Sequence, residues 1–242
     1  LLGSLRSAVD IYASGGFTSY PIEKLGDRLA EWVAAGIPRV KMKVGREPAE
    51  DLERVAAARE AIGAEAELFV DANGAYHRKQ ALDFADRFEL FGVSWFEEPV
   101  IPADLEGLRL LRDRAPPGMA IVTGEYGYEQ ADFRRLLQAG AIDILQADAT
   151  RCAGITGFLK AAALSQAFGV PLSSHCAPAL HVHTGCAAPG FSVLEYFHDH
   201  VRIEQTLFDG APRPVAGKLC PDRSRPGLGL EFKRQDAAAY AV

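Results

Sequence analysis

Positive charge is not in surplus: 26 basic residues against 32 acidic ones leave a formal charge of −6. Such a chain has no electrostatic footprint for a phosphate backbone, so nucleic acid is excluded as a partner. No apolar run reaches the roughly 18 residues that a membrane-spanning helix needs, and the N-terminus lacks the basic, apolar and small-residue order of a secretory signal. The expectation is a cytoplasmic protein with no membrane contact. Cysteine is scarce: Cys152, Cys176, Cys186 and Cys220 lie 24, 10 and 34 positions apart. That spacing is neither a C-x-x-C site nor a disulfide framework, and it reads as reduced structural thiols. Neither G-x-G-x-x-G nor G-x-x-x-x-G-K-[ST] occurs, which removes the two commonest phosphate-cradling loops. The chain opens Leu-Leu-Gly-Ser, and its methionines are Met42 and Met119; the expectation is a part of a longer polypeptide.

Short β-rich runs alternate with longer helical patterns along most of the chain. The strand candidates are VDIYASG from Val9, RVKMKVG from Arg39, ELFVDAN from Glu67, SWFEEP from Ser94, AIVTGE from Ala120, IDILQAD from Ile142, PLSSHC from Pro171 and SVLEY from Ser192. Amphipathic segments such as EKLGDRLAEWVAAG and EQADFRRLLQAG separate them, several closed by Gly at the helix end. Eight strands with intervening helices in about 250 residues predict a TIM-like α/β barrel rather than a doubly wound sheet. The stretch around 180–190 is poorly patterned, and beyond Tyr196 the composition turns to Pro, Arg and Gly. The predicted units are therefore a barrel over 1–200 and a tail over 201–242, packed on the barrel or on a further domain.

Barrel active sites lie at the C-terminal ends of the strands, and here those ends are nearly all ionisable. They are Lys41 and Lys43, Asp71 and Asn73, Glu97, Glu125, Asp148, His175 and Glu195. Period-two alternation puts Lys41 and Lys43 on one face of their strand, opposite Met42. A single strand-end acid is ordinarily a turn or helix cap. Three on consecutive strands, Asp71, Glu97 and Glu125, converge instead as an oxygen set suited to a hard cation such as Mg²⁺. Asp148 and His175 end neighbouring strands and can form a carboxylate–imidazole dyad. Adjacency in sequence points Glu98 away from Glu97, towards a structural ion pair, and Cys176 away from His175, against a Cys-His nucleophile. His181-x-His183 and His198-x-His200 read as surface or packing residues.

Taken together, KMK at 41–43, DAN at 71–73, FEEP at 96–99, TGE at 123–125, DATRCAGITG at 148–157, SSH at 173–175 and LEYF at 194–197 resemble the enolase superfamily, in its mandelate racemase subgroup. The resemblance runs over essentially the whole chain. It implies a (β/α)7β barrel, one Mg²⁺ on Asp71, Glu97 and Glu125, and Lys43 as the base with Lys41 beside the substrate carboxylate. It also implies an Asp148–His175 dyad on the opposite face, and Glu195 as a protonated donor to that carboxylate. CAG at 152–154 departs from the IGG of many relatives, and the N-terminal α+β capping domain of the family is absent from this chain. The implied chemistry is α-proton abstraction from a small carboxylate through an enediolate, foremost dehydration of a sugar acid, in a homo-oligomer. The repulsion of two ammonium groups on one strand face, beside a cation, is expected to lower the pKa of Lys43. A 2-hydroxy-acid racemase on the same residues is the alternative, and a truncated non-catalytic barrel the alternative of another class. A Schiff-base aldolase has no need of three converging acids, and an amidohydrolase calls for H-x-H where this chain has YASGG.

Overall fold

The computed structural model describes residues 1–240. Eight strands run parallel around a closed sheet: β1 (Val9–Gly16), β2 (Arg39–Lys43), β3 (Glu67–Asp71), β4 (Val93–Glu97), β5 (Ala120–Thr123), β6 (Ile144–Ala147), β7 (Leu172–Ser174) and β8 (Phe191–Phe197). Each pairs with its successor, and β8 pairs back onto β1 with Tyr12 opposite Glu195, which shuts the cylinder. The strands are followed in turn by α1 (Ile22–Ala34), α2 (Asp51–Ile62), α3 (Arg78–Glu89), α4 (Leu105–Arg114), α5 (Gln130–Gln138), α6 (Gly154–Ala167), α7 (Pro178–Ala187) and α8 (His198–Leu207). The TIM-like barrel expected from the sequence is thus present.

Alternation along each strand splits the core in two. Val40, Met42, Leu68, Val70 and Phe96 point outward into the large cluster shared with the helices. Tyr12, Phe69, Trp95, Val122 and Val193 point inward and plug the lower barrel, where Phe69 and Trp95 stack with ring centroids 4.9 Å apart. Residues two positions further along the same strands therefore project into the mouth. Side chains cap several helix N-termini: Asp104 accepts from the Gly107 amide at 3.0 Å, His77 from that of Gln80 at 3.2 Å, and at α5 Asp132 from that of Glu129 at 3.0 Å in a capping box.

Two segments that lacked a clear pattern are ordered helices. Pro178 at the first turn starts α7, and its buried face includes His181, Val182 and Cys186. The expected change of unit at residue 200 falls inside α8, which carries on across it and packs against β1 and β8. Beyond it come β9 (Phe208–Asp209), β10 (Lys218–Leu219) and β11 (Glu231–Phe232). β9 and β11 form a small hairpin-like sheet, while β10 adds antiparallel to the start of β1. Among the described residues, no helix is long and apolar enough to cross a membrane, and the cysteines are free.

Gly124 joins β5 to Glu125 with φ +134°, and a methyl there would overlap the Gln146 carbonyl oxygen on the neighbouring strand. Backbone overlap cannot be relieved by a rotamer change. Gly124→Ala is therefore expected to destabilise the fold by about 2–4 kcal/mol, read from the urea midpoint at constant m-value. An unchanged midpoint contradicts this packing.

Candidate active site

Side chains fill the barrel in tiers set by strand register. Above the aromatic plug lie Lys41, Glu97 and Glu195, all buried. At the rim stand Lys43, Asp71, Glu125, Asp148 and His175, with Lys43 beside Asp71 and Asp71 beside Glu97 in the ladders. Glu125, Asp148 and His175 each fall just past the end of their strands.

Asp71, Glu97 and Glu125 each bring an oxygen within 4.8 Å of the others. Lys41 Nζ sits 2.7 Å from both Glu97 oxygens, 2.9 Å from Glu195 and 3.6 Å from Asp71, while Lys43 pairs with Asp71. The Asn73 amide donates to Asp71 Oδ1 at 2.8 Å, with Asn73 in the left-handed region at φ +44° and its side chain exposed. The donors are all carboxylate oxygens, the chemistry of a hard divalent cation, and Glu125 Oε2 is buried without a hydrogen-bond partner. The trio therefore fits such an ion.

Crowding shows in the protonation of these groups. Burial first, then Asp71, pushes the Glu97 carboxyl up to about 8 against the pull of Lys41. Burial would also raise Asp71, but Lys43 and Lys41 hold it below the usual range. Burial and Lys41 both press the Lys43 ammonium down, yet Asp71 outweighs them and raises it. Across the ladder Asp71 thus outweighs Lys41, the neighbour on the strand. Glu195 lies against Lys41 as well. Burial disfavours its charge, but Lys41 and His175 hold it well below the ordinary value, and it accepts the Cys176 amide at 2.7 Å.

Across the mouth, His175 Nδ1 meets Asp148 Oδ2 at 2.8 Å, while Nε2 lies 3.3 Å from Glu125 Oε2. Burial would raise the Asp148 carboxyl, but hydrogen bonds from His175 and Thr150 bring it down to about 2. Burial lowers His175; Asp148, Glu195 and Glu125 more than compensate, and it titrates above the ordinary value. Nδ1 thus carries a proton and Nε2 faces the rim.

Glu98 turns away from Glu97 as adjacency predicts, but forms no ion pair among the described residues: it takes a left-handed turn at φ +41°, is buried, and accepts from Thr123 Oγ1 at 3.0 Å. Burial and then Glu125 push it up to about 9. Cys176, also left-handed at φ +51°, folds its Sγ back to 3.3 Å from His175 Nε2. Strict strand alternation fails at Cys176 because the strand has already ended. Burial and then Glu195 raise the thiol, so it is no activated nucleophile.

Of the remaining histidines, His181 is buried, accepts from the Ala149 amide at 2.9 Å and donates to the Cys176 carbonyl at 2.7 Å. His183 reaches the Leu228 carbonyl at 3.2 Å, His198 packs on Trp32, and His200 accepts from the Ala177 amide at 3.0 Å. Sequence reasoning passed over Arg151, which donates to the Glu125 carbonyl at 3.0 Å and lies 3.7 Å from Asp148 Oδ2, so it ties the oxygen trio to the dyad. Its place three residues after Asp148, at the opening of the following helix, was the available signal.

The family model described as enolase C-terminal domain-like matches residues 24–237. D-galactarolactone cycloisomerase of Agrobacterium fabrum is 32% identical over 257 aligned residues, covering 99% of this chain and 67% of the relative. A mandelate racemase/muconate lactonizing enzyme-like protein from Rubrobacter xylanophilus superposes with a TM-score of 0.96 at 56% identity, covering 99% of this chain and 66% of that one. L-talarate dehydratase from Polaromonas sp. JS666, complexed with Mg and L-glucarate, gives 0.88 at 36% identity, over 98% and 65%. This chain spans about two thirds of the length of these proteins.

The dyad has a pH consequence. Asp148 titrates near 2 in the fold against an ordinary value of 3.8, so it stabilises the protein at neutral pH by about 2 kcal/mol. That stability is present above the unfolded pKa and is lost as pH falls from about 4 towards 2. Asp148→Asn is expected to lack this part of the acid dependence in urea titrations. It is also expected to shift His175 to a lower pKa in proton NMR, and a His175 titration identical to wild type contradicts the pairing.

Proposed function

From the membership of this chain in the enolase C-terminal domain-like family, we propose that the protein abstracts the α-proton of a small carboxylate substrate, foremost to dehydrate a sugar acid, with Mg²⁺ as cofactor. The observation that carries the reading is the placement of two proton-transfer groups on either side of the oxygen trio. Lys43 stands against Asp71, and His175 against Glu125.

Asp71, Glu97 and Glu125 would hold the cation, which supplies Lewis-acid charge to the substrate carboxylate. An α-proton next to a carboxylate is too weakly acidic to leave unless the resulting enediolate is stabilised as it forms. Lys41, fixed between Glu97 and Glu195, places a buried positive charge beside that carboxylate. Lys43, whose partner Asp71 would be engaged by the cation, takes the proton from one face. His175, fixed through Nδ1 by Asp148, gives a proton from Nε2 to the departing β-hydroxyl, which leaves as water. The electron pair of the broken C–H bond forms the enol double bond, which tautomerises to the 2-keto acid. Asn73, exposed at the rim, belongs to the proposed substrate-binding residues. Protonation of the same α-carbon by His175 gives the racemase alternative.

The barrel over 1–200 with the 201–242 segment as its outer packing, self-association, and a cytoplasmic location supported by the free cysteines complete the proposal. The exposed rings of Tyr126 and Tyr128, next to Glu125, support a mouth that further polypeptide covers.

Calorimetric titration tests the cation site: Glu97→Gln is expected to weaken Mg²⁺ binding at least about tenfold, and unaltered affinity sinks the assignment. Proton NMR in D₂O on sugar acids, with the full natural chain, tests the roles. His175→Asn is expected to exchange the α-proton without releasing water, whereas Lys43→Ala loses exchange and keeps the metal. The converse pattern, on a substrate presenting its proton to Lys43, reverses the assignment, and one variant retaining exchange on each enantiomer selects the racemase.

A further inference from the structure

We infer that Trp95 is a positioning residue for the cation site: its indole N–H orients Glu97 and makes Trp95 an optical reporter of metal binding. The inference rests on the reading of Glu97 as a ligand.

Trp95 lies two residues before Glu97 on β4, so both point into the barrel, one tier apart. Its Nε1 donates to Glu97 Oε2 at 2.9 Å. An indole N–H has one donor and no acceptor, and buried at 2% exposure it has no recourse to water. The ring itself cannot swing away. Phe69 stacks on it at an interplanar angle of 14°, and Tyr12 leans against it with centroids 5.6 Å apart. The bond is therefore aimed by packing, and it restricts rotation of the Glu97 carboxyl about its last torsion, which is otherwise broad.

Lys41 also contacts Glu97, through both oxygens at 2.7 Å, but it does not duplicate this role. It is a charge on a flexible stem shared with Glu195, and it is placed to meet the substrate carboxylate. Trp95 is neutral, rigid and without another hydrogen-bond partner among the described residues. Deleting its donor leaves Glu97 buried, charged on binding, and oriented by Lys41 alone. Hydrogen bonds that orient ligating carboxylates are worth about 10- to 100-fold in metal affinity.

Tryptophan occurs at two positions, 32 and 95. Trp32 belongs to α1 and packs near His198, on the outer wall. Trp32→Phe therefore gives a protein whose only indole touches the proposed ligand.

Mg²⁺ is titrated by calorimetry into wild type, Trp95→Phe and Trp32→Phe, with circular dichroism to establish folding. Phenylalanine keeps a stacked six-membered ring and removes the donor together with the volume of the indole's second ring. Trp95→Phe is expected to bind Mg²⁺ about 10- to 100-fold more weakly, with Trp32→Phe at wild-type affinity. In Trp32→Phe, tryptophan emission is expected to change saturably along the calorimetric isotherm. A folded Trp95→Phe with wild-type affinity overturns the inference. Should that variant not fold, the emission decides: a flat signal at Mg²⁺ saturating by calorimetry overturns it, and a saturable one upholds it. Absence of Mg²⁺ binding by the wild type strikes the cation site itself, a different failure from either of these.

Discussion

Like charges held close together out of water govern this structure. Asp71, Glu97, Glu98, Glu125, Asp148 and Glu195 are all buried around one mouth, where each would separately cost several kcal/mol if left uncompensated. The barrel closes over them because cations and donors are distributed among them. Lys41 serves Glu97 and Glu195, Lys43 serves Asp71, His175 serves Asp148, and Arg151 bridges Glu125 and Asp148. Glu98 finds no cation among the described residues and Glu97 only shares Lys41 with Glu195, and their carboxyls are pushed up to about 9 and about 8. The site is poised in charge before any ligand arrives, which is the condition for strong electrostatic stabilisation in a water-poor pocket.

The division between plug and mouth explains how a charged centre coexists with a stable fold. Tyr12, Phe69, Trp95, Val122 and Val193 supply an apolar floor, and the outward faces of the same strands supply the large core under the helices. Each strand thus carries three duties in successive residues: outward packing, inward packing and, at its end, chemistry. Tyr12 stands on the boundary, with its ring in the floor and its hydroxyl 3.3 Å from both Lys41 and Gln146.

Most of this was legible because it is periodic. Lys41 and Lys43 flanking Met42, and the regular recurrence of acids after apolar runs, follow directly from the two-residue repeat of a strand and the length of a βα unit. What was not legible lies where that repeat stops. Asn73 and Cys176 take positive φ two residues past the ends of β3 and β7, so alternation no longer decides which way their side chains point. The protonation of Lys43 and Glu195 was also out of reach, because it depends on partners from other strands rather than on sequence neighbours. Helix α7 was obscured by its own burial: a helix with His181, Val182 and Cys186 inside has no clear polar face to reveal its period.

The position of β1 carries a consequence for how the chain is made. That strand is hydrogen-bonded to β2, to β8 and, at its start, to β10, so two of its three partners are synthesised some 180 residues or more after it. Until then this barrel strand presents an open edge of the kind that recruits foreign strands, and barrel closure is a contact of long sequence separation, slow by its loop entropy. While the barrel is incomplete, β1 is therefore the barrel strand with the most pairing still to be made.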